Sequence, residues 1–103
     1  MTADYYAAET ENGDHMDDPS EDGLFMLMTE LNRTDNTFIS ITPAERDAGW
    51  FVAVSLLPSG IYEVIRMAQG GKQQVLTEVS AHALAHDLTL WLAARDFPSR
   101  TVR

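Results

Sequence analysis

The sequence predicts a two-layer α+β domain, in which a four-stranded antiparallel β-meander packs against an N-terminal and a C-terminal helix. Two observations predict the layers: apolar residues recur at helical spacing over 20–33 and again over 81–95, and the region between them is rich in β-branched and aromatic residues. A third predicts the connections, since turn signals containing glycine separate neighbouring strand segments. Such short turns join antiparallel neighbours and leave no room for crossover helices.

The first helix is predicted over residues 20–33. Ser20 suits the N-cap, and Glu21 and Asp22 lie where the positive end of a helix dipole favours carboxylates. A strand remains the alternative for residues 24–28, because the segment is apolar throughout. One helical face would carry Leu24, Leu27, Met28 and Leu31.

Four strands are predicted between the helices, over residues 37–42, 50–57, 61–68 and 73–79. The continuous apolar run of the second strand indicates a central position, whereas the polar fourth strand suits an edge. In the third strand, alternation places Tyr62 and Arg66 on the face opposite Ile65. We expect Tyr62 and Arg66 on the sheet face that the helices leave uncovered.

Two turns and a second helix complete the predicted domain. "PSG" at 58–60 and "QGGK" at 69–72 are typical of tight hairpin turns. Ser80 suits the N-cap of the last helix, which "DFPSR" at 96–100 ends because the residue before a proline leaves the helical region. One stripe of this helix carries Ala81, Leu84, Leu88, Trp91, Leu92 and Arg95.

Residues 1–19 are predicted to be an acidic disordered tail, attached to a single domain over 20–103. Residues 1–22 hold eight carboxylates and no Lys or Arg, and they supply most of the net charge of −9. This composition offers little apolar surface to offset the entropy of ordering.

Composition excludes several kinds of function. The seven Lys and Arg residues are scattered, so no basic patch is predicted for nucleic acid. No apolar run approaches the ~20 residues that span a bilayer, so we expect no membrane association. We expect the protein to be cytoplasmic. The absence of cysteine excludes disulfides and thiolate metal sites.

No catalytic, cofactor or metal site is predicted. No serine lies in a nucleophile elbow, and the "QGG" turn lacks the Lys-Ser/Thr ending of a phosphate loop. His82 and His86 share one helix face at metal-ligand spacing, but that face lies opposite the apolar stripe and no third ligand is close in sequence. We therefore expect His82 and His86 to be exposed. We also expect that the protein binds no cofactor and is not an enzyme.

Two segments carry a resemblance to known proteins: "TFISITPAERDAGWFVAVSLLPSGIYEVIRM" and "VSAHALAHDLTLWLAARDFP". Together they cover about residues 36–98 and resemble small actinobacterial immunity-type proteins of polymorphic toxin systems. The resemblance implies an α+β inhibitor that binds a toxin, and it assigns no functional residue. A second likeness is to α+β domains of the secretion-chaperone type, which are usually longer and have more strands.

We therefore predict a non-catalytic protein-binding module, of the immunity or inhibitor kind, that neutralises a basic toxin or enzyme. The alternative is a peptide-binding, secretion-chaperone-like or adaptor domain, which would use the open sheet face or the edge strand near 73–79. Both a monomer and a homodimer are compatible with the sequence. The residues predicted to contact a partner are Asp17, Asp18, Glu21, Asp22, Trp50, Tyr62 and Arg66.

Overall fold

The structure is a computed structural model that describes residues 3–45 and 48–95. Within them two helices and six strands follow one another along the chain. They are β1 (Tyr6–Thr10), β2 (His15–Asp17), α1 (Glu21–Thr29), β3 (Phe38–Pro43), β4 (Phe51–Leu56), β5 (Tyr62–Met67), β6 (Gln73–Glu78) and α2 (Ala81–Ala93).

The strands form one antiparallel sheet in the order β2-β1-β3-β4-β5-β6. This confirms the α+β class, the meander from β3 to β6, the central place of β4 and the edge place of β6. The predicted strand number is wrong, because β1 and β2 add a hairpin beyond β3. Residues 6–17 therefore belong to the sheet, whereas the sequence led us to expect a disordered tail.

The hairpin forms because β1 needs to bury only one small face. Ala8 and Thr10 point into the core and are almost inaccessible, and the charged Glu9 between them points outward. The turn at Asn12-Gly13 has the glycine at φ 99°, a left-handed conformation that glycine adopts without steric cost. β1 then pairs with β3 along its whole length, from Tyr6 opposite Pro43 to Thr10 opposite Ile39.

Both helices begin at the predicted caps. The Ser20 hydroxyl accepts a hydrogen bond from the Gly23 N–H at 3.1 Å, and the Ser80 hydroxyl accepts one from the Ala83 N–H at 3.1 Å. Residues 24–28 are helical, which decides between the two alternatives for this segment. The first helix ends at Thr29, earlier than predicted, and the predicted ending at 96–100 lies outside the described residues.

The helices pack together on one face of the sheet, as the two-layer prediction expects, but α1 follows β1 and β2 and is not the first element, as the sequence had predicted. The even-numbered residues of β4 and β5 and the odd-numbered residues of β3 point toward them. The sheet contributes Ile39, Ile41, Val52, Val54 and Val64 to the core, and the helices contribute Leu24, Leu27, Met28, Leu84, Leu88 and Leu92. No described element covers the opposite face, which we call the open face.

Candidate functional site

The centre of the open face is apolar. Phe51 lies opposite Met67, and Ala53 lies opposite Ile65, so that side chains of β4 and β5 form adjoining pairs. All four are only half-buried, and the Phe38 side chain on β3 is 39% exposed. We call Phe38, Phe51, Ala53, Ile65 and Met67 the open-face patch.

Carboxylates border this patch. Glu9 and Asp17 lie on the open face of β1 and β2, and Glu63 lies on the open face of β5. One row of directly opposed residues crosses the sheet and joins the two regions: His15, Glu9, Ser40, Ala53, Ile65 and Val75. No lysine or arginine occupies an open-face position of the six described strands.

His15 lies between two of these carboxylates. Its Nε2 lies 2.6 Å from Asp17 Oδ1, and its Nδ1 lies 3.2 Å from Glu9 Oε2. The hydrogen bond with Asp17, and then that with Glu9, raises the pKa of His15 above its usual value. Protonation of His15 therefore partly neutralises the acidic side of the open face.

The carboxylate of Asp18 is hydrogen-bonded within the chain. It accepts hydrogen bonds from the backbone N–H groups of Asp4, Tyr5 and Tyr6, at 2.8, 2.7 and 3.1 Å. Burial raises the pKa of Asp18, but these three donors together outweigh it and hold the pKa below the usual range. Asp18 also has a positive φ of 47°, which aspartate tolerates better than most residues. The carboxylate thus fastens the N-terminal segment to the end of β2.

The other three predicted acids are divided between the open face and the start of α1. Asp17 is on the open face beside His15. Glu21 lies in the first turn of α1, where its Oε1 is 3.3 Å from Nδ1 of His86 on α2, and Asp22 is exposed in the same turn. Of the four, only Asp17 therefore lies on the open face, where β1 separates it from β3.

Trp50, Tyr62 and Arg66 lie on the helix-covered side, and the prediction that Tyr62 and Arg66 occupy the uncovered face is wrong. The register places them with Val64, which is buried in the core. Trp50 is 4% exposed and packs edge-on against the ring of Trp91, with the ring centroids 5.8 Å apart.

Tyr62 and Arg66 are each held by contacts within the chain. The Tyr62 hydroxyl donates to the carbonyl of Met28 at 3.3 Å, and burial raises the pKa of Tyr62. The Arg66 guanidinium lies 5.6 Å from the ring of Trp91, and its Nε donates to Gln74 at 3.0 Å.

A groove separates β6 from α2 on the helix side and has a volume of about 470 Å³. Its apolar side chains include Leu76, 40% exposed, and Leu90, 59% exposed. Arg66, Glu78 and Asp87 supply its charges.

The described residues include no group of three or more side chains suited to a metal ion. His82 is exposed and packs edge-on against Phe25, at 5.6 Å between ring centroids, while His86 approaches Glu21. Ser20 and Ser80 serve as helix caps. No helix among these residues is long and apolar enough to cross a membrane.

Comparison with protein-family models, with curated proteins and with solved structures finds no match to this chain. Function is therefore inferred from the chain's own surfaces. The sequence predicted the exposed edge strand β6 among these surfaces, but it did not predict Phe51, Ile65 and Met67 as surface residues. The sequence feature that could have identified them is that both faces of β4 and β5 carry apolar residues. A two-layer core needs apolar residues on only one face of the sheet.

Proposed function

We propose that the chain is a non-catalytic protein-binding module whose open face binds a basic protein partner. One observation carries the proposal: the open face of β3, β4 and β5 carries apolar side chains, its neighbouring strand positions carry carboxylates, and no lysine or arginine occupies an open-face position of the described strands. An apolar centre with a polar rim is the usual composition of a protein interface. The rim positions of the described strands carry carboxylates and one histidine, His15, and this acidic excess favours a partner surface rich in lysine and arginine.

The aromatic and long apolar side chains of the patch supply the binding energy in this proposal. Phe38, Phe51 and Met67 belong to residue types that interfaces favour, and they are half-exposed on a rigid sheet. Side chains on paired strands lose little further freedom on binding, which reduces the entropic cost of association.

The carboxylates supply attraction at longer range. The net charge is −9, and half of the sixteen acids lie within residues 1–22, of which Glu9 and Asp17 occupy open-face positions of β1 and β2. A field of one sign speeds encounter with a basic protein and disfavours acidic competitors. This role belongs to the charge of the folded hairpin as a whole, because Asp18 itself is committed to backbone donors.

An uncovered sheet face suits an inhibitor that covers an active surface of its target. This is the function that the resemblance to immunity-type proteins implies, with a basic toxin or enzyme as the target. We propose it as the specific form of the binding function. It needs no catalytic group on this chain.

The test is capture of a partner from the native cell with the tagged chain and with matched variants. Phe38→Ser changes an open-face side chain, and Met26→Ser changes a 57% exposed side chain on α1 as its control. Glu63→Lys reverses an open-face charge, and Asp35→Lys makes the same change in net charge in an exposed loop. We expect the wild-type chain and both control variants to capture one basic protein. Both open-face variants should fail to capture it.

Salt dependence distinguishes this proposal from its rivals. We expect the affinity for the captured protein to fall with ionic strength, and to fall less in Glu63→Lys than in Asp35→Lys. Capture of an acidic protein, or equal retention by all four variants, would contradict the proposal. Variants are compared only when circular dichroism shows the same fold.

A second candidate function is peptide binding by a chaperone-like or adaptor domain. The groove between β6 and α2 favours it, because Leu76 and Leu90 are exposed there beside an unpaired strand edge, as β-strand addition requires. Here the expected result is capture of many unrelated, unfolded clients. Leu90→Ser would abolish that capture, whereas Phe38→Ser would leave it intact.

A further inference from the structure

The two edges of the sheet differ in how they are protected. β2 has only three residues, carries His15 and Asp17, and ends at Asp18 with its positive φ. β6 has six residues without proline, and residues 73–77 are all exposed. Natural proteins shorten, charge or bend the edges that must stay unpaired, because a free edge presents unpaired N–H and C=O groups. β2 follows this pattern and β6 does not.

The unprotected edge also exposes apolar side chains on both of its faces. Val75, on the open face, is 56% exposed, and Leu76, on the helix side, is 40% exposed. β5 covers only the inner side of this strand. A further strand alongside β6 would shelter both side chains while it satisfies the free backbone groups.

We propose that the occupant of this edge is β6 of a second copy of the chain, paired antiparallel about a two-fold axis at Val75. Directly opposed residues in an antiparallel pair lie on the same face. Val75 of each copy then meets Val75 of the other, and both helix layers lie on the same side of one continuous sheet. The interface is isologous, as in most dimers of identical chains.

Charge complementarity selects this occupant and this register. With Val75 on the axis, Lys72 opposes Glu78 of the second copy, and the symmetry repeats the pair. The positions between them are uncharged: Gln73 opposes Thr77, and Gln74 opposes Leu76. Moving the axis to Gln74 or to Leu76 would place both charged residues opposite uncharged ones. The edge thus complements itself although the whole chain is strongly acidic.

The proposed dimer uses a surface other than the open-face patch and does not depend on the proposed function. It would place two open faces side by side and leave the patch of each copy accessible. Two adjoining faces would strengthen binding to a partner that presents two equivalent surfaces. The variants that test the dimer therefore differ from those that test partner binding.

Cysteine cross-linking tests the register directly, because the chain contains no cysteine. Opposed Cα atoms in an antiparallel pair lie about 4.5–5.5 Å apart, which a disulfide spans. Val75→Cys should therefore form a disulfide-linked dimer under mild oxidation. Gln73→Cys alone should not, since its two copies would lie about 13 Å apart along the strands. A mixture of Gln73→Cys and Thr77→Cys should cross-link, because these positions are opposed.

Cross-linking of Val75→Cys and of the mixture, but not of Gln73→Cys or Thr77→Cys alone, is the expected result. Equal cross-linking of all samples would show random collision, and no cross-linking would show an unpaired edge; either result overturns the proposal. Each variant is read on non-reducing gels after a check that its circular dichroism is unchanged.

Sedimentation equilibrium supplies the second test. Lys72→Glu should raise the dimer dissociation constant at least about tenfold, because it opposes like charges twice. A double variant that carries both Lys72→Glu and Glu78→Lys should dimerise again, because opposite charges then face each other. Because Glu78 also accepts from the Val79 and Ser80 N–H groups, Val75→Lys provides a variant that leaves these bonds intact and should also be monomeric. A wild-type chain that stays monomeric at about 100 µM would overturn the proposal.

Discussion

The carboxylate of Asp18 accepts a hydrogen bond from the backbone nitrogen of Tyr5 at 2.7 Å and so joins two segments thirteen residues apart. Asp4 and Tyr6 donate to the same side chain. An acid that the sequence suggests for partner steering is thus a structural anchor. It holds the start of β1 against the end of β2, and this has measurable consequences.

Loss of this anchor should destabilise the domain. We expect Asp18→Ala to lower the free energy of unfolding by about 2–3 kcal/mol, because it leaves charged-acceptor hydrogen bonds unmade and places alanine at a positive φ. Asp18→Asn should cost less, since asparagine tolerates this φ and keeps one acceptor oxygen. Urea unfolding measures both, with Asp35→Asn in an exposed loop as control. An Asp18→Ala variant as stable as this control would contradict the anchoring role.

The contribution of Asp18 should depend on pH in a definite direction. Its pKa is lower in the folded chain than in the unfolded chain, so its stabilisation is present above the unfolded value of about 3.9. It is lost as the pH falls through the folded pKa. The stability difference between the wild-type chain and Asp18→Asn should therefore shrink when urea unfolding moves from neutral pH to below about pH 4. A difference that grows on acidification would refute this linkage.

The pKa of His15 should lie above its usual range. Asp17 should raise this pKa more than Glu9 does. Asp17→Asn should lower the pKa of His15 more than Glu9→Gln does, because the hydrogen bond with Asp17 is the larger cause. The raised pKa stabilises the fold below the unfolded His pKa, and this effect is lost as the pH rises through the folded pKa. NMR titration of the His15 imidazole signals measures the pKa in each variant, with Glu30→Gln as control. Equal values in all variants would disprove the pairing.

Trp50 should behave as a core residue and not as a contact for a partner. We expect Trp50→Ala to lower the free energy of unfolding by about 3–5 kcal/mol, since it removes a buried ring that packs on Tyr6 and Trp91. Trp50→Phe should cost less because it keeps an aromatic ring. Urea unfolding measures both changes. A decrease of less than about 1 kcal/mol in the free energy of unfolding for Trp50→Ala would indicate an exposed position.

Local signals predicted much of the fold. Ser20 and Ser80 are caps whose role depends on a few neighbouring residues, and Gly60 and Gly70 adopt the positive φ, 88° and 72°, that their turns require. β3 to β6 follow from apolar content, and the polar side chains of β6 identified it as an edge.

The hairpin of β1 and β2 was missed because its stability is not local. The buried face of β1 consists of Ala8 and Thr10, which are too small to produce an apolar pattern, and pairing with β3 supplies the rest. Asn12-Gly13 is the one strong local signal for this hairpin. Acidic composition is compatible with a strand when the charges point away from the core.

The sheet faces were misassigned for a different reason. Alternation in β5 correctly groups Tyr62 with Arg66, opposite Ile65. It does not indicate which group lies beneath the helices, because both groups contain apolar residues. Packing decides this, through Val64 in the core, and so moves the candidate site from Arg66 to the patch around Ile65.

The most direct test of the proposed partner binding on the open face is a methyl NMR titration of the chain with the basic protein that we expect it to capture. Ile65 and Met67 report on the patch, while Ile39, Ile41 and Met28 in the core and Met26 on α1 serve as internal controls. We expect the methyl signals of Ile65 and Met67 to shift or broaden in proportion to bound partner, with the control signals nearly unchanged. Shifts confined to Met26, or to leucines of the groove such as Leu90, would contradict binding on the open face.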